Sequence, residues 1–262
     1  EKGSDGTRAS LIDYNRSGVA LLEIVTEPDI RDGETARRYA EELRLLLRTI
    51  GAADAEMENG QMRVEANISL RPSSDAPFGL RVEVKNMNSF RSVERAIAYE
   101  MARQAEVLDA GGAITQETRG WDEGSETTYT MRIKEDSHDY RYFPEPDLPP
   151  LDIDPAWLAA IVAGLPELPG TRRARYVSEL GLTDYDASVL VAEPRAAALF
   201  EVARAAQKEL DAKLLANWVS GEYLRVAKEG AADPDPVQFA ALVAAVASKE
   251  ISGTTAKALF AE

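Results

Sequence analysis

Apolar residues recur at helical spacing through residues 33–50, at Ala36, Tyr39, Ala40, Leu43, Leu46, Leu47 and Ile50. That period predicts an amphipathic helix. It returns over residues 90–110 at Val93, Ile97, Met101, Ala105 and Leu108, and Gly111-Gly112 ends it. Between the two, the period changes to two. Met62, Val64, Ala66, Ile68 and Leu70 alternate with Arg63, Glu65, Asn67, Ser69 and Arg71, and Leu80, Val82 and Val84 alternate with Arg81, Glu83 and Lys85. Each run reads as a half-buried strand. The segment PSSDAPFG at 72–79 is turn-rich, so an antiparallel hairpin is the simplest pairing. Same-face pairing then sets Arg71 opposite Arg81, Ser69 opposite Glu83 and Asn67 opposite Lys85, with Glu65 one diagonal step from Lys85. Two more polar-faced strands follow. Residues 113–121 carry Thr115, Glu117, Arg119 and Trp121 on one side; residues 127–134 carry Thr128, Thr130, Arg132 and Lys134 opposite Tyr129, Met131 and Ile133. The run LLEIVTEPD places Glu23 and Glu27 on one side of another short strand.

After Pro149-Pro150 the strand signals stop, and Asp154-Pro155 reads as an N-cap followed by proline at the first helical position. The expected architecture is α+β. An antiparallel sheet has helices on its apolar face and a mixed-charge face left open, and an all-α domain follows from a boundary near residue 151.

Composition narrows the chemistry. In 262 residues there is no cysteine, and histidine occurs once, at His138. Thiolate sites, disulfides and multi-histidine metal centres are excluded from these residues. Any metal would be a hard cation on carboxylate, amide and water oxygens, which points to Mg²⁺. Net charge is −15, from 30 basic and 45 acidic residues. That argues against DNA or unspecific nucleic-acid binding and leaves RNA contact to local clusters, of which Arg172, Arg173 and Arg175 are the densest. No stretch approaches the roughly 20 apolar residues of a membrane span. The opening EKGSDGTRAS is not a signal peptide. A cytoplasmic protein is the expectation.

The open sheet face gathers carboxylates (Glu23, Glu27, Glu65, Glu83), amides (Asn67, Asn86, Asn88) and cations (Arg63, Arg81, Lys85, Arg119, Arg132). That mixture suits ATP-dependent activation of a carboxylate, in which acids hold Mg²⁺ on nucleotide phosphates and cations stabilise the transferring group. Neither a Walker-type loop nor a dinucleotide-binding glycine pattern is present. A nucleotide would therefore bind on the sheet. Glu65 and Glu83 are the candidate metal ligands, with Lys85 and Arg63 on phosphate and Asn67, Asn86, Asn88 and Arg81 as further cofactor contacts. The competing readings are a solvated face with a Glu65–Lys85 cross-strand pair, worth roughly 0.2–1 kcal/mol, and Asn88 or Ser89 as the cap of the following helix.

Five stretches carry a family resemblance: LIDYNRSGVALLEIVTEPD (11–29), MENGQMRVEANISLRP (57–72), RVEVKNMNSFRSVERAI (81–97), QETRGWDE (116–123) and SHDYRYFPEPDLPPL (137–151). They resemble the signature segments of GatB, the B subunit of aspartyl/glutamyl-tRNA amidotransferases. LPELPGTRRARYVSELGLTDYDASVL and KLLANWVSGEYL are similar to its helical and tail domains. The resemblance implies that residues 1–151 are the C-terminal part of a glutamine-synthetase-like cradle. Residues 152–262 would be the helical domain and the start of a YqeY-like tail. It implies ATP and Mg²⁺ as cofactors, and an amidase (A) subunit, a small C subunit and mischarged tRNA as partners. The B subunit would phosphorylate the side-chain carboxylate of Glu on tRNA(Gln) or Asp on tRNA(Asn), and ammonia from the amidase would displace the phosphate. Arg141 would reach the site or the tRNA acceptor end, while Tyr140, Tyr142 and Phe143 pack as a structural loop. Val64 and Ala20 depart from the family's frequent Cys and Pro. The family's N-terminal portion and the end of its tail domain are expected to lie outside these residues. A ligase acting on a small free carboxylate, and a non-catalytic tRNA-binding module, are the alternatives.

Overall fold

The computed structural model describes residues 12–15, 17–133, 146–147 and 149–261. Arg16, Lys134, His138, Asp139 and the candidate Arg141, with the aromatics Tyr140, Tyr142 and Phe143, lie outside them. The chain divides at Arg31 into two units. The described residues between 12 and 31 form turns, in one of which Asp13 accepts from the Asn15 amide at 2.9 Å, and irregular, mostly exposed backbone. The strand expected around Glu23 and Glu27 does not form. Its apolar residues Leu21, Leu22 and Val25 stand in solvent.

In the second unit, α1 (Gly33–Thr49) begins where Asp32 accepts from the Thr35 amide, and α2 (Phe90–Asp109) where Ser89 accepts from Ser92. The capping role expected of Ser89 is therefore filled. Four strands, β1 (Val64–Ile68), β2 (Val82–Met87), β3 (Glu117–Asp122) and β4 (Thr127–Ile133), form one sheet in chain order. The sheet is mixed, which corrects the all-antiparallel expectation. β1/β2 and β3/β4 are antiparallel hairpins, but β2 and β3 run parallel. A parallel neighbour needs a long crossover, and the twenty-residue α2 supplies it.

The first hairpin sits two residues away from the expected register. Ala66 faces Val84, Asn67 faces Glu83 and Ile68 faces Val82. A two-residue shift preserves every face, because strand side chains repeat with period two. It brings Glu65 within hydrogen-bond reach of Lys85. The loop between these strands is folded on itself: Arg71 stacks over Phe78 at 4.4 Å and donates to the Ala76 carbonyl. A Cβ on Gly79 would lie 2.4 Å from the Leu70 carbonyl oxygen, so only glycine passes there.

α2 covers one face of the sheet. Val93, Ala96 and Ile97 lie buried there with Val82, Val84 and Ile68. The same helix stripe carries Glu100 and Gln104, both with 0% exposure. Glu100 accepts from Arg103, Gln104 and the Thr128 hydroxyl, and Arg119 of β3 lies 3.5 Å away. Burial disfavours its charge, but the hydrogen bond from Arg103 and then that from Gln104 outweigh it, so Glu100 stays below the ordinary carboxylate range.

Beyond Pro150 the described residues are helical: α3 (Pro155–Ala163), α4 (Pro169–Leu180), α5 (Asp184–Ala192), α6 (Pro194–Ala206), α7 (Ala212–Trp218), α8 (Leu224–Lys228), α9 (Pro236–Ala247) and α10 (Gly253–Ala261). Asp154 caps α3 with Pro155 in the first turn, as expected. A π-turn, Val219–Tyr223, joins α7 to α8. Trp218 and Tyr223 are core residues, with Leu190, Phe200, Leu215 and Phe239. Leu45 of α1 joins that core, and Arg173 of α4 pairs with Glu42 of α1 at 2.6 Å.

Replacing Glu100 by leucine should destabilise the fold by about 3–5 kcal/mol, because Arg103, Arg119 and Thr128 lose a buried partner. Urea unfolding measures it, with Glu100→Gln costing less. A loss below about 1 kcal/mol would show that the network is not structural.

Candidate functional site

The face of the sheet away from α2 can be built row by row from the register. Asn67 faces Glu83, Glu83 lies beside Thr118, and Thr118 faces Arg132. In the next row Lys85 reaches Glu65 of β1 and neighbours Gly120, which faces Tyr129. Cross-strand partners share a face. Glu65, Glu83 and Lys85 are therefore together, as the alternation of both strands predicts.

Lys85 donates to both oxygens of Glu65, at 3.0 and 2.9 Å, and its Nζ lies 3.4 Å from Glu83. Thr118 donates to Glu83 at 2.8 Å. Burial opposes the lysine's charge, but the hydrogen bond to Glu65, reinforced by Glu83, outweighs it and raises the Lys85 pKa above its ordinary value. An ammonium with a raised pKa keeps its charge and its ion pairs through neutral pH, losing them only as pH climbs through that raised value.

Two irregularities shape this face. Two residue steps of β1, Val64 to Ala66, span three steps of β2, Val84 to Met87, and the extra residue is a bulge at Asn86. Asn86 has φ +65°, a left-handed conformation that asparagine tolerates better than most residues. A second bulge on β4 falls between Thr130 and Arg132. Asn86 donates to the Tyr129 hydroxyl at 3.3 Å and approaches Met131 Sδ at 4.0 Å.

Other candidates are placed differently. Arg63 and Arg81 are exposed just before β1 and β2, at opposite ends of the hairpin. About six residues of strand, roughly 20 Å, separate them. Asn67 and Asn88 are exposed. Arg119 is not on the open face, which is a correction. It reaches toward α2, donating to Thr128 at 2.8 Å, to Glu117 at 2.8 Å and to Thr130 at 2.9 Å. Thr128 and Thr130 share that side, so the expected facing of β3 and of the first half of β4 is inverted. Tyr129 and Met131 stand outward instead. Thr118, Gly120, Tyr129 and Met131 are the site residues that sequence reasoning missed. The available signal was Glu100 on the apolar stripe of α2, since a buried carboxylate calls for cations and hydroxyls from the strands above it.

The arginine cluster of α4 is engaged by acids. Arg172 and Arg175 both donate to Glu167, at 3.1 and 2.8 Å; Arg175 also pairs with Glu201, and Arg173 with Glu42. A cavity of about 170 Å³ between Arg48, Arg172, Pro169 and Pro194 shares no residue with the sheet face. Among the described residues no group of three or more His, Cys, Asp or Glu could hold a metal by itself. The Glu65–Glu83 pair supplies two hard oxygen donors. That number fits Mg²⁺, which keeps waters and takes phosphate oxygens as its remaining ligands.

Comparison with known proteins bears on the same strands. Residues 2–159 match a family model described as the GatB/GatE catalytic domain. The chain belongs to that family. A protein of Herpetosiphon aurantiacus, named as the B subunit of aspartyl/glutamyl-tRNA(Asn/Gln) amidotransferase, is 49% identical over 260 residues, 97% of this chain and 54% of its own length. Proteins of the same name from Roseiflexus and Caldicellulosiruptor saccharolyticus are 51% identical over 227 residues and 46% identical over 261. The first covers 86% of this chain and 47% of its own length, the second 97% and 54%. The chain spans about half the length of these relatives. The site strands β1 to β4 all fall inside the matched catalytic-domain stretch of this family member.

The Glu167 cluster makes stability depend on pH. Arg175 chiefly, opposed by burial and helped by Arg172, lowers Glu167 to about 2. A depressed carboxylate contributes stability above its ordinary pKa and loses it as pH falls toward the folded value. Thermal stability should therefore drop between about pH 4.5 and 2. In Glu167→Gln that share of the drop should vanish, while the melting temperature at pH 7 falls. An unchanged pH profile in the variant would refute the assignment.

Proposed function

We propose that the open sheet face is part of an ATP- and Mg²⁺-dependent site that activates a side-chain carboxylate for amidation. The substrate is Glu mischarged on tRNA(Gln), Asp on tRNA(Asn), or both. Family membership and the shared name of the relatives support this reading. The observation that carries it is Lys85 held between Glu65 and Glu83 on one sheet face.

When bound, ATP supplies the phosphoryl group that turns the carboxylate into an acyl phosphate, from which ammonia releases inorganic phosphate to leave the amide. The chain's own residues prepare that exchange. Glu65 and Glu83 would offer oxygens to Mg²⁺, and Lys85, held between them, would place its ammonium beside the phosphates. Thr118 holds Glu83 in place by donating to it. Arg132, in the Glu83–Thr118 row, adds a second cation toward the same side. Fixed charges of this kind stabilise a transferring phosphoryl group without reorganising at the moment of reaction.

Ammonia is assigned to an amidase (A) partner, with a small C subunit completing the assembly. These 262 residues contain no cysteine with which to hydrolyse glutamine by a thiol mechanism. Among the described residues no helix is long and apolar enough to cross a membrane, and a cytoplasmic setting suits a tRNA substrate.

ADP formation by the assembled enzyme tests the proposal. Turnover should depend on Mg²⁺ and on mischarged tRNA, and Lys85→Ala should lower it by roughly 100-fold, as loss of one preorganised donor does. Lys85→Ala turning over within twofold of the parent would remove this face from the chemistry. Equal turnover with free glutamate would favour a ligase of small carboxylates, and absence of any nucleotide binding would favour a tRNA-binding module.

A further inference from the structure

On a sheet face otherwise made of charges and amides, Tyr129 and Met131 stand half-exposed, at 46% and 49%. Neither is left there by default, because several features of the chain hold them in place. Tyr129 faces Gly120 across the β3–β4 pair, and the phenol end of its ring lies directly over that glycine. A Cβ at residue 120 would sit 2.5 Å from ring carbon Cζ and 2.6 Å from the hydroxyl oxygen, so the ring takes this position only over glycine. From the other side Asn86, in its left-handed conformation at the β2 bulge, donates its amide to the hydroxyl. The same amide nitrogen approaches Met131, which occupies the β4 bulge. Two bulges and a glycine thus converge on one small aromatic and thioether surface.

Its surroundings indicate what it takes. Lys85 is the next residue in the row, one strand over from Gly120, and Arg132 follows Met131 directly. A ligand seated here has a flat, polarizable surface beneath it and two cations beside it. We propose that Tyr129 and Met131 form a shelf for the purine ring of a nucleotide, which lies on the shelf while its phosphates point to Lys85. The assignment rests on the nucleotide reading above and adds the base-binding subsite to it. Stacking on an aromatic ring, with a methionine sulfur alongside, discriminates a nucleotide from bare polyphosphate and leaves the charge-based contacts unchanged.

Calorimetric titration of the intact protein with Mg²⁺–ATP and, separately, with Mg²⁺–tripolyphosphate tests this. The parent should bind ATP more tightly than tripolyphosphate. Tyr129→Ala should weaken ATP about tenfold and leave tripolyphosphate unchanged, which also shows that the variant has folded. Tyr129→Phe keeps the ring and should bind ATP within about threefold of the parent. Lys85→Ala should weaken both ligands. If Tyr129→Ala binds ATP as the parent does, the shelf is overturned and the nucleotide reading stands. If the parent binds neither ligand, the nucleotide reading fails and the shelf with it. Weakened binding of an adenosine-ended RNA oligonucleotide, with ATP binding intact, would overturn the assignment to a free nucleotide.

Discussion

Glu100 lies fully buried on the sheet side of α2, and its charge has to be answered by groups reaching down from the strands. Arg119 and Thr128 do so, joined from the helix by Arg103 and Gln104. An unanswered buried carboxylate would cost several kcal/mol, so this requirement decides how β3 and β4 face. Once Arg119 and Thr128 turn inward, strand alternation turns Thr118, Gly120 and Tyr129 outward. The composition of the open face is thus partly a consequence of what is buried beneath it.

The open face then combines three kinds of group within a few strand spacings of one another. Glu65 and Glu83 provide oxygens, Lys85 a cation held by both, and Tyr129 with Met131 an apolar surface. In the resting arrangement the lysine and the carboxylates satisfy one another, which keeps a cation charged and in place at neutral pH. In the proposed function, divalent metal and phosphate would replace that internal pairing with an equivalent one, metal to carboxylate and ammonium to phosphate. In the proposed function, this exchange of partners is what readies the face for carboxylate activation.

Much of this was legible in the residues, for identifiable reasons. Both long helices and the first hairpin follow from strong periodicity, and Asp154 and Ser89 cap helices where expected. Glu65, Glu83 and Lys85 share a face because a two-residue register shift conserves parity. What escaped detection were effects that alternation alone does not encode. The parallel β2–β3 pairing depends on the path of α2, and the inward turn of Arg119 depends on a carboxylate of that helix. Bulges at Asn86 and between Thr130 and Arg132 shift parity within a strand, which exchanged the expected roles of Thr130 and Met131. The run around Glu23 and Glu27 has strand-like residues but forms no strand, as alternation supplies a preference and not a partner.

Paramagnetic mapping tests the central claim most directly. Mn²⁺ replaces Mg²⁺ on oxygen ligands, so titrating the ¹⁵N-labelled protein with Mn²⁺–ATP would locate the metal through line broadening. Broadening should centre on the backbone amides of Glu65, Glu83, Lys85 and Thr118. Broadening centred on the helices beyond Pro150, with these four amides unaffected, would contradict the account.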